Sequence, residues 1–175
     1  MLGVGEQFPD FNVKAAVSVE EGKEFVEISN ATDAGKWKIF FFWPKDFTFV
    51  CPTELVGFGK ALQEFKDRDA VIYAGSIDNE FSHLAWKKAH KDLTNLPYPM
   101  LAGGVQLPAA LGILDPKAGV AQRALYIVDP EGVIRFVYVT DLSVGRDPKE
   151  VIRVLDALQS GELCPCSWKK GEKTL

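Results

Sequence analysis

The sequence of 175 residues predicts an α/β fold in which helices flank a mixed central sheet. Two continuous apolar segments, 37–43 and 70–74, have the pattern of strands that are covered on both faces. Each is followed by apolar residues at three- and four-residue steps, which is typical of a helix with one buried face. Near the C-terminus, 124–128 and 133–140 predict an antiparallel pair, because the turn between them has Pro130 at its second position and glycine at its fourth.

The remaining elements are predicted from local signals. Short apolar runs on both sides of residues 20–23 indicate a β-hairpin within 11–29. A helix is predicted to begin at Cys51, because Pro52 suits a first turn, where its missing N–H costs nothing. The apolar residues that define its buried face are Leu55, Phe58, Leu62 and Phe65. A second helix near 80–91 is marked by Phe81, Leu84 and Ala85.

Further along the chain we expect a short strand at 98–101 and a short helix at 105–112. A last helix begins after Asp147, a good cap that is followed by proline. After Gly161 the periodicity ends, which indicates an extended C-terminal arm over 161–175. The order of strands and helices is compatible with a thioredoxin-like fold over 1–160.

Composition excludes several classes of protein. Hydrophobic residues make up 47% of the chain, which is too many for a disordered protein, and no apolar run exceeds the five residues of Ile39–Trp43. A net charge of −4 argues against general binding to nucleic acid. The first residues lack the features of a secretion signal, so we expect a cytoplasmic protein. Three cysteines are too few for a disulfide scaffold, and their odd number does not allow all of them to pair.

Cys51 is predicted to lie where the loop after a buried strand meets a helix. Free backbone N–H groups and the positive end of the helix dipole favour a thiolate there. The alternative is a buried cysteine that acts only as a small apolar residue. A dithiol Cys-x-x-Cys site would need cysteine at position 54, which is Glu54. The local pattern therefore predicts one nucleophilic thiol.

Residues 42–54 resemble the active-site segment of the peroxiredoxins, whose Pro-x-x-x-Thr-x-x-Cys motif is matched by Pro44, Thr48 and Cys51. Over its full length, the segment 42–54 is similar to that of the typical two-cysteine peroxiredoxins. Supporting matches lie at 76–78, 83–86, 127–132, 143–146 and 164–168, so that the resemblance covers roughly residues 5–170. It implies a thioredoxin-like, thiol-dependent peroxidase for hydrogen peroxide and organic hydroperoxides in antioxidant defence, with no metal, haem or flavin cofactor.

The resemblance also implies roles for individual residues. Cys51 would be the peroxidatic cysteine, whose thiolate becomes a sulfenic acid. Thr48 would orient the peroxide, and Pro44 would shield the thiolate. Arg123 would stabilise the thiolate and the leaving oxygen, although spacing alone does not select it among the arginines. A further pair, Glu54 and Arg146, would hold Arg123 in place, and the alternative for these two is a surface ion pair.

Cys164 matches the family's resolving cysteine, which would come from the partner subunit and form an intersubunit disulfide. The resemblance therefore implies a homodimer, with rings of dimers as a further expectation. The reductant would be a dithiol protein: thioredoxin, a flavoprotein disulfide reductase or a small thiol adaptor protein. Cys166 departs from most relatives, and it is open whether it is an alternative resolving cysteine, exchanges with Cys164 or is idle.

The sequence departs in two places from the family members whose peroxidatic cysteine is easily overoxidised to sulfinic acid. Residues 91–96 replace the Gly-Gly-Leu-Gly loop of sensitive members, and the sequence reaches only seven residues beyond Trp168, without their C-terminal Tyr-Phe helix. We therefore expect the disulfide to form faster than the sulfinic acid.

Three other functions remain as alternatives. Cys164, Cys166, His83 and His90 could bind a metal ion, although Cys-x-Cys is tighter than usual zinc spacing and two surface histidines are commoner. A Cys–His hydrolase would need a histidine beside Cys51. The aromatic residues of 40–49 could instead serve an oligomer interface or a chaperone-like binding role.

Overall fold

The computed structural model describes residues 1–175, with nine strands and five helices. The strands are β1 (Asn12–Ala16), β2 (Phe25–Ser29), β3 (Trp37–Phe42), β4 (Ala70–Ser76), β5 (Met100–Ala102), β6 (Leu114–Asp115), β7 (Val120–Ala121), β8 (Arg123–Val128) and β9 (Ile134–Thr140). The helices are α1 (Cys51–Lys60), α2 (Leu62–Lys66), α3 (Glu80–Ala89), α4 (Gln106–Ala110) and α5 (Pro148–Ser160).

Seven strands form one mixed sheet in the order β2-β1-β5-β4-β3-β8-β9. β3 is an interior strand of this sheet, since it pairs in parallel with β4 and antiparallel with β8. The predicted hairpins are present as β1–β2 and β8–β9. In the second of these, the Gly132 amide donates to the Asp129 carbonyl at 3.0 Å, as expected for the predicted turn. The predicted mixed α/β sheet is therefore confirmed.

The strand segment 39–43 is buried on both faces, as its continuous apolar sequence predicts. Ile39 and Phe41 belong to one apolar cluster, with α1, α2 and α5, whereas Phe40 and Phe42 belong to a second cluster on the other face. The end of β3 therefore lies between two packed layers. The loop that leads to Cys51 therefore begins at a tightly packed strand end.

Several boundaries differ from the sequence prediction. The helical face that was expected to run from Leu55 to Phe65 is divided between α1 and α2, because the helix is interrupted at Ala61. The predicted strand at 98–101 is shifted to Met100–Ala102. The short pair β6–β7 was not predicted, since two-residue strands have no detectable period.

The buried face of α3 was predicted wrongly, although its bounds were close. Phe81 is 63% exposed and packs its ring on Phe25, while the buried residues are His83, Trp86 and Lys87. The expectation that both histidines lie at the surface is therefore wrong for His83. Periodicity marks apolar residues, but a buried polar side chain is stabilised by partners from distant segments.

α5 begins at Pro148 after its cap Asp147, as predicted. It ends at Ser160 and is capped by Gly161, which has a left-handed φ of 68°. Residues 161–175 contain no helix or strand. They are nevertheless attached, because Trp168 is buried and its carbonyl accepts a bond from Arg153. None of the helices is both long enough and apolar enough to cross a membrane.

Candidate active site

Cys51 is the first residue of α1, and its side chain is completely buried. The preceding residue, Val50, offers no side-chain cap to the helix. The amides of Thr53 and Glu54 both point to the Val50 carbonyl, at 3.0 and 3.4 Å. A thiolate at Cys51 therefore lies at the positive end of an uncapped helix, which stabilises it.

Two polar groups contact the Cys51 sulfur. Thr48 Oγ1 donates to Sγ at 2.8 Å, and Arg123 Nη1 donates to it at 3.3 Å. The Thr48 oxygen also lies 3.1 Å from the Lys45 carbonyl. Because a hydroxyl has one proton, Thr48 donates either to the thiolate or to that carbonyl, and in the second case it can accept the thiol proton. The arrangement thus accommodates both protonation states of Cys51.

Arg123 is held by a buried carboxylate. Its Nη1 donates to Glu54 Oε2 at 2.8 Å, and its Nε donates to the Leu142 carbonyl at 2.6 Å. Glu54 also accepts from Arg146, whose Nε lies 2.7 Å from Oε1 and whose Nη2 lies 3.1 Å from Oε2. Glu54 and Arg146 are only 3% and 4% exposed, so the alternative of a surface ion pair is wrong.

Arg146 anchors this group to the sheet. Its Nη1 donates to the Ala124 carbonyl at 2.6 Å and its Nη2 to the Phe42 carbonyl at 2.9 Å. Two guanidinium groups and one carboxylate leave one positive charge in excess beside the sulfur. A negative charge that develops at the Cys51 sulfur therefore has a counter-charge within hydrogen-bond distance, at Arg123.

The loop that carries Thr48 is fixed at Asp46, which is also buried. Asp46 accepts from Trp43 Nε1 at 3.0 Å and pairs with His83 Nδ1 at 2.7 Å, while its amide donates to Asp78 at 2.8 Å. Burial raises the pKa of Asp46, against the opposing effect of His83. Sequence reasoning missed this role of Asp46 and His83, because no local pattern joins residues 37 positions apart.

His83 has no free ring nitrogen, since Nε2 lies 3.1 Å from the Leu101 carbonyl and Nδ1 is taken by Asp46. Neither it nor His90 bonds to the Cys51 sulfur, so the site lacks the base that a Cys–His hydrolase needs. No group of three or more His, Cys, Asp or Glu side chains has the arrangement of a metal site.

Pro44 is buried two residues after the end of β3, at the start of the same loop. Phe47 has a left-handed φ of 56°, which costs energy for a residue other than glycine and marks the loop as strained. The next residue, Thr48, lines a cavity of about 650 Å³ together with Phe49 and Pro52. A small molecule in this cavity can therefore reach a group that contacts the thiol.

The structure does not bring the arm cysteines to Cys51. All three cysteines are free. The Cys164 sulfur lies 3.4 Å from Ser160 Oγ and 3.8 Å from the Ala157 carbonyl, so that it rests on the end of α5. Cys166 is exposed, with its sulfur 3.6 Å from Ser167 Oγ.

Comparisons with known proteins agree in family and fold. The model of the AhpC/TSA family matches residues 4–137. Alkyl hydroperoxide reductase C of Mycolicibacterium smegmatis is 49% identical over 184 aligned positions, which cover 100% of this chain and 94% of the relative. Peroxiredoxin tpx1 of Schizosaccharomyces pombe is 41% identical, with 99% of this chain and 93% of the relative covered.

Solved structures give the same result. The AhpC of Mycobacterium tuberculosis superposes with a TM-score of 0.87 at 47% identity, over 97% of this chain and 99% of that one. The reduced 2-Cys peroxiredoxin of Plasmodium vivax superposes with a TM-score of 0.89 at 31% identity, over 98% of this chain and 91% of that one.

A thioredoxin-like fold that presents a buried, arginine-bonded thiol defines the class of thiol-dependent peroxidases, and the named relatives are of this class. The chain belongs to the AhpC/TSA family. The resemblance drawn from residues 42–54 is thus confirmed, together with the predicted fold and enzyme class.

Proposed function

We propose that Cys51 is the peroxidatic cysteine of an enzyme that reduces hydrogen peroxide and small organic hydroperoxides. The observation that carries this proposal is the pair of bonds from Thr48 and Arg123 to a buried sulfur at a helix N-terminus. The thiolate attacks the terminal oxygen of the hydroperoxide, and the O–O bond breaks. The terminal OH is transferred to sulfur as a sulfenic acid, and the released alkoxide or hydroxide takes a proton from solvent.

The residues around the sulfur have separate roles in this step. Thr48 directs its hydroxyl toward the peroxide, and Arg123 stabilises first the thiolate and then the charge that develops on the leaving oxygen. Glu54 and Arg146 are positioning residues, because they fix Arg123 without bonding to the sulfur. Pro44 excludes water from the thiolate.

The second half of the cycle requires movement. A disulfide needs Cα atoms within about 7 Å, whereas Cys51 is buried and Cys164 rests on α5. We infer that the first turn of α1 unwinds, that the arm 161–175 leaves the domain 1–160, and that Cys164 of the partner subunit attacks the sulfenic acid. The sulfur–sulfur bond forms and water leaves. Cys166 is exposed and two residues away, which makes it the alternative resolving thiol.

The proposed assembly is a homodimer, with rings of dimers as a further step. Phe47 and Phe49, which line one cavity, are 59% and 96% exposed, and neighbouring exposed apolar side chains of this kind are typical of an interface between subunits. Electrons would come from a dithiol protein: thioredoxin, a flavoprotein disulfide reductase or a small thiol adaptor protein. Three free cysteines suit the reducing cytoplasm as its location.

The test uses reduced protein and one equivalent of hydrogen peroxide. Thiols are blocked within about a second, and the products are separated on a non-reducing gel. We expect a covalent dimer in the wild type and its absence in Cys51→Ser. The matched pair Cys164→Ser and Cys166→Ser assigns the resolving thiol, because only the loss of the true partner removes the dimer.

Two results would change the proposal. A dimer that is kept in Cys164→Ser and lost in Cys166→Ser moves the resolving role to Cys166. A wild type that stays monomeric with all thiols free shows that Cys51 is not peroxidatic, and the exposed phenylalanines would then favour a binding role.

A further inference from the structure

The helix that carries Cys51 is weak by its own composition. α1 has no side-chain cap, and it contains Gly57 and Gly59, each of which disfavours a helix by about 1 kcal/mol relative to alanine. It must therefore be held by contacts with the rest of the protein. Two consecutive residues provide polar anchors: the side chain of Glu54 bonds to Arg123 and Arg146, and the carbonyl of Leu55 accepts a bond from Tyr98.

The bond from Tyr98 is short and completely enclosed. Its hydroxyl donates to the Leu55 carbonyl at 2.6 Å, and both residues are buried. Burial raises the pKa of Tyr98 well above its usual value, so the hydroxyl keeps its proton. The Tyr98 ring also approaches the next turn of the helix, since a Cβ placed on Gly59 would lie 3.8 Å from Cε1. Tyr98 thus contacts α1 from its second turn onward.

Tyr98 stands on a segment that is itself fixed. The fully buried Lys87 donates to the carbonyls of Leu93 and Leu96 at 3.2 and 3.4 Å. Leu93 and Leu96 are buried as well, and Leu96 packs beside Gly59. The segment 93–98 is therefore a rigid support for the Tyr98 hydroxyl.

The two anchors differ in their relation to the reaction. The bonds of Glu54 belong to the group that contacts Cys51, so they are disturbed when the first turn unwinds. The bond of Tyr98 reaches Leu55, the first residue beyond that turn, and involves none of the reacting groups. It can therefore persist while Cys51–Glu54 unwind, and it opposes any unwinding that continues past Leu55.

We propose that Tyr98 is a positioning residue that limits unwinding of α1 to Cys51–Glu54. It thereby sets how much of the Cys51 sulfenic acid becomes disulfide and how much becomes sulfinic acid. This inference rests on the proposed peroxidase cycle. In the unwound helix the sulfenic acid meets a resolving thiol, which gives a disulfide and water. In the folded helix it meets a second hydroperoxide, which oxidises it to sulfinic acid and is itself reduced to an alcohol or water.

Tyr98→Phe removes only the hydroxyl, and Tyr126→Phe is the matched control, because the buried Tyr126 hydroxyl has no hydrogen-bond partner. In the reduced protein we expect the amides of residues 55–60 to exchange hydrogen about two- to tenfold faster in Tyr98→Phe. With excess peroxide, the ratio of sulfinic acid to disulfide should fall by a similar factor. Tyr126→Phe should leave both quantities unchanged.

A third variant separates this role from general destabilisation. Ile113→Val makes a small cavity in the apolar cluster on the other face of the sheet and should lower stability without changing the product ratio. The inference is overturned if Tyr98→Phe matches the wild type in exchange and product ratio, or if Ile113→Val shifts the ratio equally. Hydrogen exchange needs no peroxide, so a wild type without peroxidase activity would contradict the proposed function and not the anchor itself.

Discussion

Around Cys51 the charged side chains lie inside the protein, whereas along the C-terminal arm they lie at its surface. The Arg123–Glu54 pair has side chains only 4% and 2% exposed. The Arg153–Glu150 pair has side chains that are 30% and 44% exposed. Arg153 of this pair also donates to the Trp168 carbonyl of the arm. Both pairs are equally short, at 2.8 Å.

The difference in burial separates two tasks. A buried pair cannot lose a partner without leaving an uncompensated charge, so it fixes a geometry. An exposed pair contributes little, since water replaces either partner, so it permits release. The site around Cys51 must hold a fixed geometry, and its ion pairs are buried. The arm must move to deliver a thiol, and the ion pair beside it is exposed.

The largest expected effect is on stability at the buried cluster. Glu54→Gln should lower the free energy of unfolding by about 3–5 kcal/mol, because two buried guanidinium groups lose their counter-charge. The exposed counterpart, Glu150→Gln, should change it by about 0–1 kcal/mol. Urea unfolding measures both. Equal losses would show that burial does not distinguish the two pairs.

The buried Lys87 predicts a pH dependence. Burial lowers its pKa from 10.5 to about 8, so between these values the unfolded chain binds a proton that the folded protein does not. Stability therefore rises with pH in this window, by at most about 3 kcal/mol, relative to Lys87→Met.

The measurement for Lys87 is urea unfolding at pH 7, 8, 9 and 10. The exposed neighbour provides the control, because Lys88→Met should follow the wild type throughout. A constant difference between wild type and Lys87→Met across the range would contradict a lowered pKa.

The bond from Thr48 to the sulfur should matter for rate more than for stability. Thr48→Val should slow the reaction of Cys51 with hydrogen peroxide about ten- to hundredfold, as expected for a bond to a charged group. Thr48→Ser should restore most of the rate. Thr53→Val is the control, since the Thr53 hydroxyl bonds only to the Val50 carbonyl. Stopped-flow tryptophan fluorescence gives the rates.

The smallest expected effect is on the arm. Arg153→Met removes the bond to Trp168, and trypsin should then cleave after Lys169 or Lys170 about two- to fivefold faster. The peroxide reaction of Cys51 should be unchanged. Arg135→Met, which breaks an ion pair with Asp129, should not affect cleavage of the arm. Slower cleavage in Arg153→Met would show that this arginine does not hold the arm.

Much of the fold was predictable because its signals are local. Continuous apolar residues at 37–43 indicated a central strand, and Pro52 and Asp147 marked helix starts within one residue. Turn chemistry located the β8–β9 hairpin. The break at Ala61 was missed, since apolar spacing continues across it without change.

The sequence by itself determined that one thiol stands at the start of a helix, and its motif indicated the chemistry through resemblance to a family. Tertiary structure alone decided what surrounds that thiol. Arg123 and Arg146 reach Glu54 from 69 and 92 residues away, and Tyr98 reaches Leu55 from 43. Side-chain periods and turn residues describe only neighbours along the chain. Which arginine meets the sulfur, and which face of α3 is buried, depends on how the sheet brings distant segments together.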